Sequence, residues 1–331
     1  MRFIITGEKG FIATNLIQLL RDRGHYVHNT RLSHRIDTGE SCVHRNNWHD
    51  WCAIMSTQNI DMVIHNAAVV GTDVVALDPV NAELTNLLGT KNIIEAANKV
   101  QYCRSIRPIP VCYIGTSVIY DALMYQSTKI TEISHKSPKT LYGKQKLAAE
   151  ILMQDAELGM IIRPLFAYGG VGDMNSLISK CFYRSLTSTD PVDMFLDPEK
   201  TKDYMHVDDF CRAVITACEM KLWSKRNHTI AEFNVSAETP HTTRDIVDMM
   251  TEISGRDIAS LVKWHPSTDY LGNHLLSSQK FRQITGWLPQ IDIRTGLDMS
   301  WRDISENLGA YDPMKYLDRA KNLGIDLIKH Y

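Results

Sequence analysis

No stretch of the chain reaches the ~18 consecutive apolar residues that a membrane-spanning helix requires. Charge of one sign is lacking too: 36 Lys and Arg against 38 Asp and Glu leave a formal charge of −2. No basic stripe therefore argues for nucleic acid, and no acidic tail argues for disorder. The seven cysteines include no Cys-x-x-Cys pair and are odd in number, and the opening Met-Arg-Phe-Ile-Ile carries no signal peptide. A reducing cytoplasm is the expected setting, with no disulfide framework and no metal site. Internal repeats and low-complexity segments are also missing. The chain does have 331 residues, 44% of them hydrophobic, which suffices for one large or two ordinary domains with a buried core.

Residues 1–31 organise the rest. Met1 to Ile5 is a short apolar run, Thr6-Gly7-Glu8-Lys9-Gly10 interrupts it, and Phe11 onward sets Ile12, Leu16, Ile17, Leu19 and Leu20 at helical spacing. That order is strand, glycine turn, helix. Such a turn lets backbone N–H groups at a helix start approach a pyrophosphate, where unpaired donors and the helix dipole favour negative charge. Gly24 ends the helix and His25 to Arg31 reads as a second strand. The spacing Gly-x-x-Gly-x-x-Ala is not the Gly-x-Gly-x-x-Gly of the dehydrogenase fingerprint, so the pair alone also fits a tight turn without ligand. Arg31 stands where dinucleotide folds usually place an acid against the adenosine ribose; a cation there suits a 2′-phosphate and favours NADP(H), with NAD(H) possible and Arg35 equally available.

Further along, an amphipathic segment over Trp48 to Ser56 precedes an apolar run, Ile60 to His65, that reads as a buried strand. Asn66-Ala67-Ala68-Val69-Val70-Gly71 follows as a small-residue turn at the strand's carboxyl end, where a cofactor could lie close. One long helix is expected from Pro79 to about Val100, with Leu84, Leu87, Leu88, Ile93, Ile94, Ala96 and Ala97 on its apolar side. Pro110 to Gly115 reads as another buried strand, delivering Thr116-Ser117-Val118-Ile119-Tyr120. Tyr142 and Lys146 then open a helix running through Leu158. Four apart, they share one helical face, and an ammonium beside a phenol should lower the tyrosine's pKa from ~10 and make it an acid or base. A solvated Tyr and Lys on an amphipathic helix is the bland alternative.

Met160 to Arg163 is the next expected strand, after which strict βα alternation fades. Helices are expected at 175–185, Val207 to Met220, Thr242 to Ser254 (capped by Thr242 or Thr243), Arg294 to Asn307 and Tyr311 to Tyr331. Strands are expected at Ala231 to Val235 and Leu261 to Trp264, with a polar loop over 187–203. Two helices, those starting near Pro79 and Tyr142, carry apolar residues on more than one side, which predicts a homodimer built on a two-fold four-helix contact.

Six motifs in order resemble the extended short-chain dehydrogenase/reductase family of nucleotide-sugar epimerases, dehydratases and 4-ketoreductases. They are Thr6-Gly7-x-x-Gly10-Phe11-Ile12-Ala13, Asp61 to Ala68, Asn86-x-x-Gly89-Thr90, Thr116-x-x-x-Tyr120, Tyr142-x-x-x-Lys146 and Lys202-Asp203-Tyr204-Met205-His206-Val207-x-Asp209. Phe233-Asn234-Val235 and Gly286-Trp287-x-Pro289 match as well. The resemblance implies an α/β chain with a Rossmann-type doubly wound parallel sheet over residues 1–165 that later strands may join. It further implies a smaller α/β substrate-binding part over 166–310, and a C-terminal extension over 311–331. It gives Thr116 the catalytic hydroxyl place, Tyr142 the acid/base, and Lys146 the nicotinamide ribose. Gly7, Lys9, Gly10, Phe11, Ile12, Asn66, Ala67, Ala68 and Asn86 would join Arg31 around the cofactor, and Val70, Ser117, Val118, Phe166 and Lys202 would face a nucleotide-sugar substrate.

The departures narrow the chemistry. Dehydratases of this family follow the hydroxyl residue with Asp-Glu; here Ser117-Val118 stands there. Epimerisation at C3 or C5 uses a cysteine where this chain has Val118, and a later histidine, yet none occurs between His135 and His206. Phe166 replaces a substrate-contacting Asn, and Lys202 replaces an Arg, keeping charge but losing the fork. What remains is 4-keto reduction of a nucleotide-linked sugar by NADPH. The alternatives are C4 epimerisation with retained NAD, or a cofactor-sensing protein without catalysis.

Overall fold

The computed structural model describes residues 1–28, 47–102, 105–123, 129–170, 172–173, 176–195, 197–223, 225–226, 229–265 and 275–311. In chain order the main elements are β1 (Arg2–Thr6), α1 (Phe11–Asp22), β2 (Tyr26–His28), α2 (Trp48–Thr57), β3 (Met62–His65), α3 (Gly89–Asn98), β4 (Val111–Ile114), α4 (Leu141–Leu152) and β5 (Gly159–Pro164). There follow α5 (Leu177–Thr187), α6 (Val207–Glu219), β6 (Thr229–Val235), α7 (Thr243–Ser254) and α8 (Ile293–Glu306). Six strands form one parallel sheet in the order β2-β1-β3-β4-β5-β6, and Lys225–Arg226 adds an antiparallel edge to β6. The sheet of the first 165 residues thus does receive a later strand, β6.

Alternation along each strand explains the two layers of helices. Phe3 and Ile5 point to one face with Ile64, Cys112 and Ile162, where α1 and α6 cover them through Leu16, Leu20, Phe210 and Val214. Ile4, Val63, Val111, Tyr113 and Ile161 point to the other, against Trp51 and Met55 of α2, Ile93 and Ala97 of α3, and Ala149 of α4. The central strands β1, β3, β4 and β5 are buried on both faces and need no polar alternation, which is why they read as largely apolar runs. Each fully buried Ile or Leu adds ~1.5–3 kcal/mol. A third core packs α5, α7 and α8 through Ile178, Phe182, Ile246, Met250, Leu297 and Ile304. Thr242 caps α7 in a capping box with Asp245, resolving the choice between Thr242 and Thr243.

The strand order reverses on either side of β1, and folds of this kind bind their ligands at the carboxyl edge there, where the turns after β1 and β3 meet. The turns after β4 and β5 leave the same edge, since all six strands run parallel.

Three expectations are corrected. The helix expected over Pro79 to Val100 is built in three pieces: Pro79–Glu83, a π-helical turn Leu84–Leu88 closed by Gly89 N–H donating to Leu84 O, and α3. The extra residue turns Asn86 inward; Leu87 still packs, half-buried, against the core that holds Ile93, Ile94, Ala96 and Ala97, whereas Leu84 and Leu88 are only partly covered. The helix from Tyr142 ends at Leu152, followed by a 3-10 turn Met153–Asp155. Within the expected polar loop 187–203, Val192–Met194 pairs in parallel with Val262–Trp264. Arg31, Arg35 and residues 312–331 lie outside the described residues. Among the described residues no helix is long and apolar enough to cross a membrane.

Candidate active site

Gly7 adopts the left-handed φ of 69°, and a Cβ there would lie 2.9 Å from Ala67 Cα. The turns after β1 and β3 therefore touch, and only glycine permits it. Gly10 N–H donates to Gly7 O at 2.8 Å and Gly10 caps α1 without a side-chain hydrogen bond. No acidic residue lies in the first turn of α1. A first turn without an acidic side chain suits a pyrophosphate at its leading N–H groups. Lys9 is exposed beside them, and Phe11 and Ile12 open the helix half-buried.

Across the crevice, the amides of Asn66 and Ala67 donate to Thr6 Oγ1 at 3.1 and 3.0 Å. Those two N–H groups are engaged within the protein, and Ala67 closes against Gly7. Asn86 is fully buried, and its amide is spent on Val69 N–H (2.8 Å), Val69 O (3.2 Å) and Gln145 Oε1 (2.9 Å). It holds the turn after β3 in place from behind.

The end of β4 brings Gly115 and Thr116 to the same edge. Gly115 is required because a Cβ would meet Glu150 Oε1 at 2.7 Å and Arg163 Cγ at 2.9 Å. Thr140 caps α4, accepting from Gly143 N–H at 3.0 Å, which fixes Tyr142 and Lys146 in the first turns. Val69, Val75, Ala82 and Val118 surround the Tyr142 ring. Burial pushes its phenol up to about 12, against the opposing pull of a hydrogen bond with Thr116. Lys146 Nζ donates to Ile114 O at 2.7 Å and sits 4.2 Å from the centre of the Tyr113 ring. Burial brings the ammonium down to about 7, with Glu150 acting the other way.

The expected lowering of the Tyr142 pKa by Lys146 is thus reversed in the free protein. Desolvation of a buried phenol outweighs any pull from an ammonium whose own hydrogen bond goes to the backbone. At neutral pH Tyr142 holds its proton, the state an acid needs.

Behind these groups lies a buried layer of charge, joining residues without a common motif. Arg163 is wholly buried and forks onto Glu150, Nε to Oε1 and Nη2 to Oε2, both at 2.8 Å. Its Nη2 also donates to Glu232 at 2.5 Å and its Nη1 to the Tyr120 hydroxyl at 2.9 Å. Lys136 completes the row by pairing with Glu232 at 2.7 Å. The only sequence signal was position: Glu150 follows Lys146 by four on the same helix.

Of the residues assigned to a substrate, Ser117 is buried, Val118 packs beside Tyr142 and Val70 is 59% exposed in the turn after β3. Phe166 and Lys202 form a separate pair, with Nζ 5.2 Å from the ring centre and Tyr204 5.8 Å from the same ring. The described residues contain no cluster of His, Cys, Asp and Glu able to hold a metal.

The chain is similar in sequence and fold to several known proteins. A UDP-glucose 4-epimerase of Halalkalibacterium halodurans is 23% identical over 340 residues, covering 94% of this chain and 98% of that protein. A GDP-6-deoxy-D-talose 4-dehydrogenase of Aggregatibacter actinomycetemcomitans is 24% identical over 263 residues, covering 77% and 80%. The fold matches RMD from Pseudomonas aeruginosa complexed with NADPH, with a TM-score of 0.75 at 19% identity over 92% of this chain and 99% of that one. From β1 into β6, over residues 3–234, the sequence fits the shared pattern of one group, and the chain belongs to the NAD dependent epimerase/dehydratase family.

Proposed function

We propose that the protein reduces a 4-keto nucleotide sugar at the expense of NADPH, with Tyr142 as the proton donor. The observation that carries this is a buried phenol, still protonated at neutral pH, hydrogen-bonded to Thr116 and one helical turn from Lys146 at the edge of a dinucleotide crevice. The first turn of α1 would hold the pyrophosphate and Lys146 the nicotinamide ribose. A bound dihydronicotinamide supplies hydride. Tyr142 gives its proton to the alkoxide forming on the sugar, and Thr116 holds that oxygen in line. Val118 beside Tyr142 offers no carboxylate for eliminating water. A relative named as a 4-dehydrogenase supports redox exchange at C4; another named as a 4-epimerase supports the second reading, in which NAD⁺ stays bound and the same residues work in both directions.

Residues 166–310 would supply the substrate side, with Lys202 toward the nucleotide phosphates, Phe166 beside it, and Val70, Ser117 and Val118 near the sugar. Arg31 would select the 2′-phosphate. A charge-assisted contact contributes ~1.5–3 kcal/mol, so NADPH should bind about tenfold or more tighter than NADH. Titration of both cofactors checks this, and an Arg31→Asp variant with unchanged preference removes it.

The pH dependence has a definite sign. Lys146 loses its charge as pH rises through about 7 in the free protein, and the charged form is the one that orients the ribose and supports proton donation. Its neighbours Glu150, Tyr113 and His65 hold no second cation, and burial keeps His65 neutral. The kcat/KM for ketone reduction should therefore fall as pH rises above about 7. A rise over that range contradicts the assignment.

The second copy of this chain is the proposed partner. Leu84, Leu87, Leu88 and Leu152 line an open groove with Glu83 and Lys91 beside them. An isologous contact over this groove would let each Glu83 pair with the other subunit's Lys91. Sedimentation at micromolar concentration should give a dimer, and Leu87→Asp a monomer; a wild-type monomer rejects the proposal.

A further inference from the structure

We propose that His65 is a positioning residue: through a one-way chain of buried hydrogen bonds it locks the two cofactor-side turns to the helix that carries Lys146. The proposal rests on the dinucleotide-binding reading above.

The direction of every bond follows from donor and acceptor counting. Thr6 Oγ1 accepts from the amides of Asn66 and Ala67, so its own hydrogen goes to His65 Nδ1, 2.7 Å away. Nδ1 is then an acceptor, and the ring's proton sits on Nε2. The other end gives the same answer independently. Thr90 Oγ1 donates to Asn86 O at 2.7 Å, which leaves it free to accept from His65 Nε2–H at 3.0 Å. Only the neutral Nε2–H tautomer satisfies both hydroxyls. From Asn86 the chain continues through its side chain to both backbone groups of Val69 and to Gln145, the residue before Lys146. Thr6, His65, Thr90, Asn86 and Gln145 are each no more than 5% exposed. Water cannot substitute for a missing partner there without opening the core.

The consequence is geometric. The Thr6 hydroxyl draws residues 66 and 67 toward β1, which sets the contact of Ala67 with Gly7 and hence the width of the crevice. Asn86 clamps Val69, whose side chain packs on Tyr142. A protonated His65 would present a second donor to Thr6 Oγ1, which already accepts two amides. Burial and the nearby Lys146 oppose that state, holding the ring's pKa to about 3. A histidine that merely filled space would be indifferent to its tautomer and replaceable by an apolar side chain of similar volume.

The test has two arms on the full chain. In the first, the His65 nitrogens of the ¹⁵N-histidine protein are identified by their loss in His65→Gln. They should show the neutral Nε2–H pattern, unchanged between about pH 5 and about pH 9. A protonated Nδ1, or titration in that window, overturns the chain. In the second arm, dissociation constants for NADPH and NADH are measured for wild type, His65→Gln, His65→Leu and Thr90→Val. Gln can accept and donate in sequence and should stay within about threefold of wild type, whereas Leu and Val should weaken binding by about tenfold or more. If folded His65→Leu binds as wild type does, the inference fails. If that variant does not fold, Thr90→Val, which leaves His65 in place, decides by the same criterion. A wild-type protein that binds neither dinucleotide refutes the function proposed above, while the tautomer still judges the hydrogen-bond chain on its own.

Discussion

Replacing Tyr142 by Phe should lower turnover of a 4-keto nucleotide sugar by ~10²–10⁴-fold, the range that a positioned proton donor contributes. Tyr142 is 8% exposed, its ring is enclosed by Val69, Val75 and Val118, and its phenol keeps its proton at neutral pH. Phe preserves this packing and removes only the proton and its hydrogen bond with Thr116. Cofactor affinity should stay within a few fold, since the glycine turn, the first turn of α1 and Lys146 are untouched. The measurement is single-turnover reduction alongside a cofactor titration. A Phe variant that turns over at near wild-type rate would remove Tyr142 from the chemistry, and Lys146→Ala should damage both binding and turnover.

Arg163→Met should cost ~3–5 kcal/mol of folding stability, the penalty for breaking a buried ion pair while leaving its partners charged. Arg163 is wholly buried, and Glu150 and Glu232 both spend carboxylate oxygens on it. Met fills comparable volume without charge, so Glu150 would be stranded in the core, 3% exposed. Two effects should therefore appear together. Denaturant unfolding should report the stability loss. A Glu150 carboxylate freed from its guanidinium should also draw the Lys146 pKa upward, moving the alkaline limb of the rate profile to higher pH. A variant with wild-type stability and an unmoved limb would mean that the row of charges is decorative.

Much of the cofactor half was legible because its strands are buried on both faces and appear as short apolar runs between glycine or asparagine turns. Ile4 and Ile5, Val63 and Ile64, and Ile161 and Ile162 illustrate this; in each pair the two residues serve opposite helix layers. The tyrosine and lysine could be found because a fixed four-residue spacing survives any change in the rest of a helix. Helix faces were harder. On α4 the buried positions include Tyr142, Gln145, Lys146 and Glu150, whereas Leu141 and Ile151 are exposed. Polarity alone inverts that helix, and the inversion is itself the mark of a site whose polar groups have buried partners. The π-helical turn at Leu84–Leu88 was invisible because one extra residue changes which side chain faces inward without changing composition. The Arg163 row and the Thr6–His65–Thr90 chain join residues far apart in sequence, such as Arg163 with Glu232 and Thr6 with His65, and no local spacing announces them.

The most direct test follows reduced-nicotinamide absorbance while the purified protein is given NADPH and a 4-keto-6-deoxy nucleotide sugar. The proposed reaction requires one NADPH oxidised per sugar reduced, release of NADP⁺, and loss of the signal in Tyr142→Phe. A protein that instead carries tightly held NAD⁺ and interconverts C4 epimers with no net change in absorbance would contradict it.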